Sequence, residues 1–181
     1  MLFINAIIFL FLINYANAED FLNKKITIPN GIYCLEDLVK NIQKQTNIHF
    51  KIQSQSYESV FSLKDVKDKP LDVLLKPISM SAKVELKFDK ENPYFLIDVN
   101  KKRDEKAELI ILELENTNLK DLLAFIAKNE GKELLIKNNE KADEKINVKC
   151  KNGISLESLL NSINNFYESK IVVEEEKIIL E

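Results

Sequence analysis

Few side chains in this sequence could do chemistry. Its single histidine, His49, sits among the alternating apolar positions Ile48, Phe50 and Ile52, on the polar side of what reads as a strand. With no second histidine, neither a multi-histidine metal site nor a His-carboxylate nucleophile system beyond that one solvated ring can be assembled. Glu174-Glu175-Glu176 could attract a hard cation, but three neighbours at a hairpin tip cannot all aim at one ion, and a solvated turn accounts for them. The acid pairs Glu36-Asp37 and Glu113 with Glu115 fall on helix and strand surfaces that a globular fold keeps wet anyway. The sequence therefore assigns no catalytic residue, no metal ligand and no cofactor, and it reads as a non-enzyme.

Cys34 and Cys150 are the other reactive candidates, and their state depends on the compartment. Residues 1–18 carry no charged side chain. Ala6 to Ile13 is a continuous apolar run, and Ala16-Asn17-Ala18 forms a small-x-small pattern directly before Glu19-Asp20. This reads as a secretory signal peptide, although its amino-terminal region lacks Lys and Arg. The competing reading is an uncleaved anchor, for which the apolar core is shorter than the roughly 20 residues of a span. No later stretch approaches that length, so the expected mature chain, Glu19 to Glu181, is exported, periplasmic and free of a membrane span. Export permits a Cys34–Cys150 disulfide. Against it, Cys150 continues the alternation of Ile146 and Val148, which favours a small buried residue. Cys34 lies just before a helix, where Ser, Thr, Asn or Asp would be usual and an exposed thiol would be reactive.

The elements that must position these residues follow from the periodicity. Ile26 to Ile28 reads as a short strand punctuated by Pro29-Asn30-Gly31. Leu35, Leu38, Val39 and Ile42 make the apolar stripe of a helix closed by Asn47. A strand at Ile48 to Ile52, a polar turn from Ser54 to Ser59 and a strand from Val60 to Val66 come next. Asp68-Lys69-Pro70 reads as a helix start, and Pro77 should end or kink that helix early. Ala82 to Phe88 and Tyr94 to Val99 form a hairpin. Asn100 to Lys106 lacks any apolar side chain and reads as a linker.

Beyond the linker the plan recurs. Strands are expected at Ile110 to Leu114, Glu133 to Lys137, Lys145 to Cys150, Lys170 to Val173 and Lys177 to Leu180. Asn118, with Asp121 as a weak capping box, starts a helix that Gly131 ends; Gly153 turns the chain before Ser155 caps another. Aligning Leu35 with Leu119 and Leu71 with Leu156 pairs two helices in the same order, which argues for duplication. The expected fold class is α+β, with two small tandem domains at 19–99 and 107–181. In each, two helices pack on small sheets in the order strand, helix, strand, strand, helix, strand, strand.

The run Ile111-Leu-Glu-Leu-Glu-Asn-Thr-Asn-Leu-Lys-Asp-Leu-Leu-Ala-Phe-Ile-Ala-Lys-Asn-Glu-Gly131 resembles the start of the short amino-terminal domain shared by secretins and TonB-dependent receptors. Ile146 to Leu160 is similar to its second half, and Lys170 to Leu180 to its closing hairpin. The resemblance implies a periplasmic, non-catalytic domain that docks proteins of secretion or type IV pilus machines, or relays a receptor signal to an inner-membrane regulator. No secretin ring or receptor barrel follows in this sequence, so a free-standing or accessory component is expected.

The formal net charge of −3, with both signs interspersed, gives no electrostatic reason to expect nucleic acid. A KH-type module would need a Gly-x-x-Gly loop, which Gly31, Gly131 and Gly153 cannot form. The expected partners are envelope proteins, an outer-membrane secretin or receptor among them; the alternatives are a sensor and a small-ligand binder or enzyme with an unrecognised site. Two surfaces offer themselves. Phe125 sits about a quarter turn off the Leu119, Leu122, Ile126 stripe, where it projects or packs under the linker. The terminal strand could present Ile178 and Ile179 to a partner strand.

Overall fold

The computed structural model describes residues 20–53, 59–89, 92–99 and 108–181. The proposed signal peptide, the linker at 100–106 and most of the turn at 54–59 lie outside the described residues. In chain order the elements are β1 Lys25–Ile28, β2 Gly31–Cys34, α1 Leu35–Thr46, β3 His49–Ile52, β4 Val60–Leu63, β5 Val66–Pro70, α2 Leu71–Ser81, β6 Ala82–Asp89 and β7 Asn92–Val99. Then follow β8 Leu109–Asn118, α3 Leu119–Asn129, β9 Glu133–Ile136, α4 Asn139–Ala142, β10 Lys145–Ser155, α5 Leu156–Tyr167, β11 Ile171–Val173 and β12 Lys177–Leu180. The fold class is α+β, as the periodicity predicts.

Local departures have local causes. Gly31 belongs to a strand where a turn was expected; all four residues of β2 are buried, so hydrogen bonding and burial override the Pro-Asn-Gly turn signal. The second helix starts at Leu71, with Pro70 still extended at φ −61°, ψ 149° and no side-chain cap. Pro77 does not end it: α2 continues to Ser81, with Leu71, Leu74 and Ile78 buried beneath it. Gly153 lies within β10, at a register shift between Cys150 and Ile154. Its φ of +88° suits glycine, and a Cβ there would come within 2.9 Å of the Leu109 side chain.

The described chain forms two compact units, and they do not follow the boundary expected at 100–106. One gathers residues 20–27, 39–53, 66–89 and 92–99; the other gathers 28–38, 59–65 and 108–181. Hydrogen bonding is the reason. β2 and β4, from the first half of the sequence, are strands of a four-stranded sheet in the order β4-β2-β10-β8. The first unit holds the two-stranded sheet β1-β5 and the sheet β3-β7-β6, in which β3 runs parallel and β6 antiparallel to β7. Its buried side chains include Ile42, Ile48, Leu71, Leu74, Ile78, Phe95 and Ile97. Each such Leu, Ile or Phe contributes about 1.5–3 kcal/mol by leaving water.

In the second unit β2 lies parallel to β10, pairing Gly31 with Asn147 and Tyr33 with Lys149, while β8 runs antiparallel along the other side of β10. The approach requires glycine at 31, because a Cβ there would collide with the Asn147 carbonyl and come within 2.8 Å of the Asn147 Cβ. Asn147 Nδ2 donates to the Asn30 carbonyl at 2.6 Å, and its Oδ1 accepts from the Asn116 N–H at 3.0 Å. The buried Asp37 carboxylate accepts the Lys151 N–H at 2.9 Å. A second sheet, β11-β12-β9, closes the core formed by Leu122, Leu123, Ile126, Ile146, Val148, Leu159 and Ile163. Its pairing repeats that of β6-β7-β3: an antiparallel hairpin whose last strand lies parallel to the strand after the first helix.

Candidate docking groove

β8 is one of the two edge strands of its sheet, since among the described residues it pairs with β10 alone. Along it Leu112 is buried and Ile110 and Leu114 are half-buried towards the core, while Ile111, Glu113 and Glu115 face outward, as a period of two dictates. Ile111 is 71% exposed. On the outward face Glu113 meets Lys151 at 2.7 Å and Glu115 meets Lys149 at 2.6 Å. The hydrogen bond from Lys149 holds the Glu115 carboxyl below the usual range, and the bond to Glu113 raises the Lys151 ammonium. Pairing therefore neutralises that face beyond Ile111.

Beside the start of β8 opens a groove of about 820 Å³. Leu109, Ile111, Phe125 and Leu156 form its apolar part, and Glu108, Glu130 and Glu157 its rim. Among the described residues no lysine or arginine lines it, and none of these three carboxylates joins an ion pair. Phe125 is 45% exposed, so its offset from the helix stripe does turn it out of the core. Ser155 caps α5 beside the groove, its Oγ accepting the Ser158 N–H at 3.3 Å, and so holds Leu156 and Glu157 in the first helical turn. A second, apolar groove of about 460 Å³ shares Leu156 and Glu157 and runs along Leu160, Ile171 and Val173.

The terminal strand is corrected as a docking edge. β12 lies between β11 and β9, and Ile178 and Ile179 are buried, so neither backbone edge nor side chains are open to a partner. Cys34 and Cys150 do form a disulfide. The parallel register that sets Tyr33 beside Lys149 makes them cross-strand neighbours, with Cα atoms 4.9 Å apart, so the buried residue expected at 150 is buried and bridged at once. His49 is exposed, with Nδ1 3.3 Å from Gln43 Nε2. Glu174, Glu175 and Glu176 are exposed in the turn before β12, where the carbonyls of Glu174 and Glu175 accept Lys132 Nζ at 2.7 and 2.5 Å. Among the described residues no group of three His, Cys, Asp or Glu side chains is placed to hold a metal ion. No helix among them is long and apolar enough to cross a membrane.

Sequence reasoning missed Ile111, Leu156 and the glutamate rim. One signal was present: Leu109-Ile110-Ile111-Leu112 is four apolar residues in a strand with one wet face, so at least one had to point outward. The glutamates gave none, because residues 108, 130 and 157 meet only through the fold. No protein-family model, curated protein or solved structure matches the chain.

Proposed function

We propose that this chain is a non-catalytic protein–protein interaction or scaffold protein of the cell envelope, accessory to a secretin-type secretion or pilus machine, and that it docks through the β8 groove. The observation that carries the reading is Ile111 and Phe125, two large apolar side chains exposed beside a sheet edge that no described strand pairs. An apolar patch at such an edge costs solubility and invites strand pairing, so a partner that covers it accounts for both features. The buried disulfide supports an oxidising compartment. The machine itself rests on the resemblance of residues 111–131 and 146–160 to the secretin and TonB-receptor domain. A second reading, a small apolar ligand, is favoured only by the groove lined by Leu156, Leu160, Ile171 and Val173.

Crosslinking in intact cells followed by affinity capture tests the proposal. The expected result is recovery of a ring-forming outer-membrane protein by the native chain and at least tenfold less by Ile111→Asp. Capture of an inner-membrane regulator would support the sensor alternative. Capture that Ile111→Asp leaves unchanged would overturn the groove as the docking surface.

A further inference from the structure

We infer that the groove takes a basic, alternating extended segment of a partner protein, added as a fifth strand on the edge of β8 that no described strand pairs. The inference rests on the docking reading above and names the partner's chemistry. Three features select it. The edge supplies backbone groups that only another strand can satisfy in register, as they are in a partnered strand. Ile111 and Phe125 supply apolar contact for alternate side chains of that strand. Glu108, Glu130 and Glu157 supply negative charge at the rim, with no cation among the described lining residues.

The rim also decides between occupants. A second copy that seated the start of its own β8 in this groove would bring two sets of the same three carboxylates together, and like charges across a strand pair are destabilising. An acidic or neutral strand would leave the rim unmatched. A strand that alternates Lys or Arg with Val or Ile matches both the charged rim and the apolar side chains. Such exposed pairs are individually weak, so three of them set a preference of about tenfold and contribute little to the total affinity.

The test uses the full exported chain with its disulfide intact and three capped decapeptides. One alternates Lys and Val, one alternates Glu and Val, and one is the Lys–Val peptide methylated on every second backbone nitrogen. Binding is read by fluorescence anisotropy and located by amide chemical shifts. The Lys–Val peptide is expected to bind about tenfold more tightly than the Glu–Val peptide and to shift the amides of residues 108–112 and 125. The preference should fall to about twofold in the triple variant E108Q/E130Q/E157Q, and methylation should weaken binding at least tenfold. Equal binding of the Lys–Val and Glu–Val peptides, shifts confined to other residues, or indifference to methylation would each overturn the inference. So would sedimentation showing a dimer of the native chain that Ile111→Asp dissociates, because a second copy would then be the occupant. If no peptide binds while Ile111→Asp still abolishes capture from cells, the strand chemistry fails and the docking reading stands. If both fail, both are wrong.

Discussion

The two halves of the sequence share an order of main helices and strands with different punctuation, and the difference decides where the strands go. In the second half the strand before each helix is continuous: β8 runs ten residues into α3, and β10 runs eleven into α5. In the first half both equivalents are broken. Pro29-Asn30 separates β1 from β2, and Lys64-Asp65 separates β4 from β5, with Asp65 at φ +56°. Proline removes a ladder donor and a positive φ turns the chain, so each broken strand becomes two pieces that can join different sheets. β1 and β5 pair with each other in the first unit, while β2 and β4 extend the sheet of the second. A shared order of elements along the chain need not give matching compact units.

The comparison can be broken most severely at the disulfide. Cys34 and Cys150 are 116 residues apart, and closing a loop of that size stabilises a fold by about 4–5 kcal/mol on the chain-entropy account. The double variant Cys34→Ser and Cys150→Ser should lower the urea midpoint by a corresponding amount, and reductant should have no further effect on it. A midpoint unchanged from the oxidised native chain would show that β2 is held without the bridge.

Next comes the contrast between β12 and β8. Ile178→Ala, at a fully buried position in a central strand, should cost about 2–4 kcal/mol in equilibrium unfolding. Ile111→Ala, on the exposed edge, should stay within about 0.5 kcal/mol of the native chain. Similar costs at both positions would refute the assignment of β8 as an edge that no described strand pairs.

The paired helices give smaller effects. α2 carries Pro77 in its interior and no side-chain cap, whereas α5 has neither fault. Pro77→Ala restores a backbone donor and is expected to stabilise the fold by about 1–2 kcal/mol, seen as a raised melting temperature. Ser155→Ala should cost about 1 kcal/mol by removing the bond to the Ser158 N–H. Asn118→Ala should cost only a few tenths, because the Asn118 amide bonds the Asp121 carboxylate at 3.3 Å and caps no backbone group. A full capping cost at Asn118 would overturn that distinction.

The smallest and most graded effect is the response to alkali. Burial, and then the charge of Glu115, pushes the Tyr33 hydroxyl up to about 12; burial, and then Glu144, raises Tyr167 as well. Tyr33 donates to the Pro29 carbonyl at 2.8 Å and Tyr167 to the Lys145 carbonyl at 2.9 Å. Both folded values lie above the unfolded one near 10, so the stability they contribute is complete below about pH 10. The Tyr33 share is lost as the pH rises from there through about 12, and the Tyr167 share as the pH rises further. Spectrophotometric titration should show two tyrosines ionising later than the rest, and Tyr33→Phe should remove one of them. Ionisation of all tyrosines together in the folded chain would refute the burial.

Much of the secondary structure was legible because it depends on neighbours in sequence. Leu35, Leu119, Leu71 and Leu156 each begin a helix, as the alignment of the two halves predicts. Asn47 and Gly131 follow α1 and α3 in the left-handed conformation, at φ +56° and +64°. What failed was anything that depends on residues far apart. The Pro-Asn-Gly signal at 29–31 hid β2, because only Asn147 and its neighbours on β10 make a strand there favourable. Phe125 is legible from its helical offset, whereas the edge expected at the terminal strand is not open, because β9 and β11 flank β12.

The sequence by itself determined the α+β class, the helix starts and the apolar faces, since capping, turn chemistry and side-chain period act over a few residues. The tertiary structure alone decided which strand stayed at an edge, that Cys34 would meet Cys150, and that Glu108, Glu130 and Glu157 would surround one apolar groove. Those outcomes depend on sheet register and strand order, which the chain sets by closing long loops against long-range hydrogen bonds and burial, and no local pattern encodes that balance.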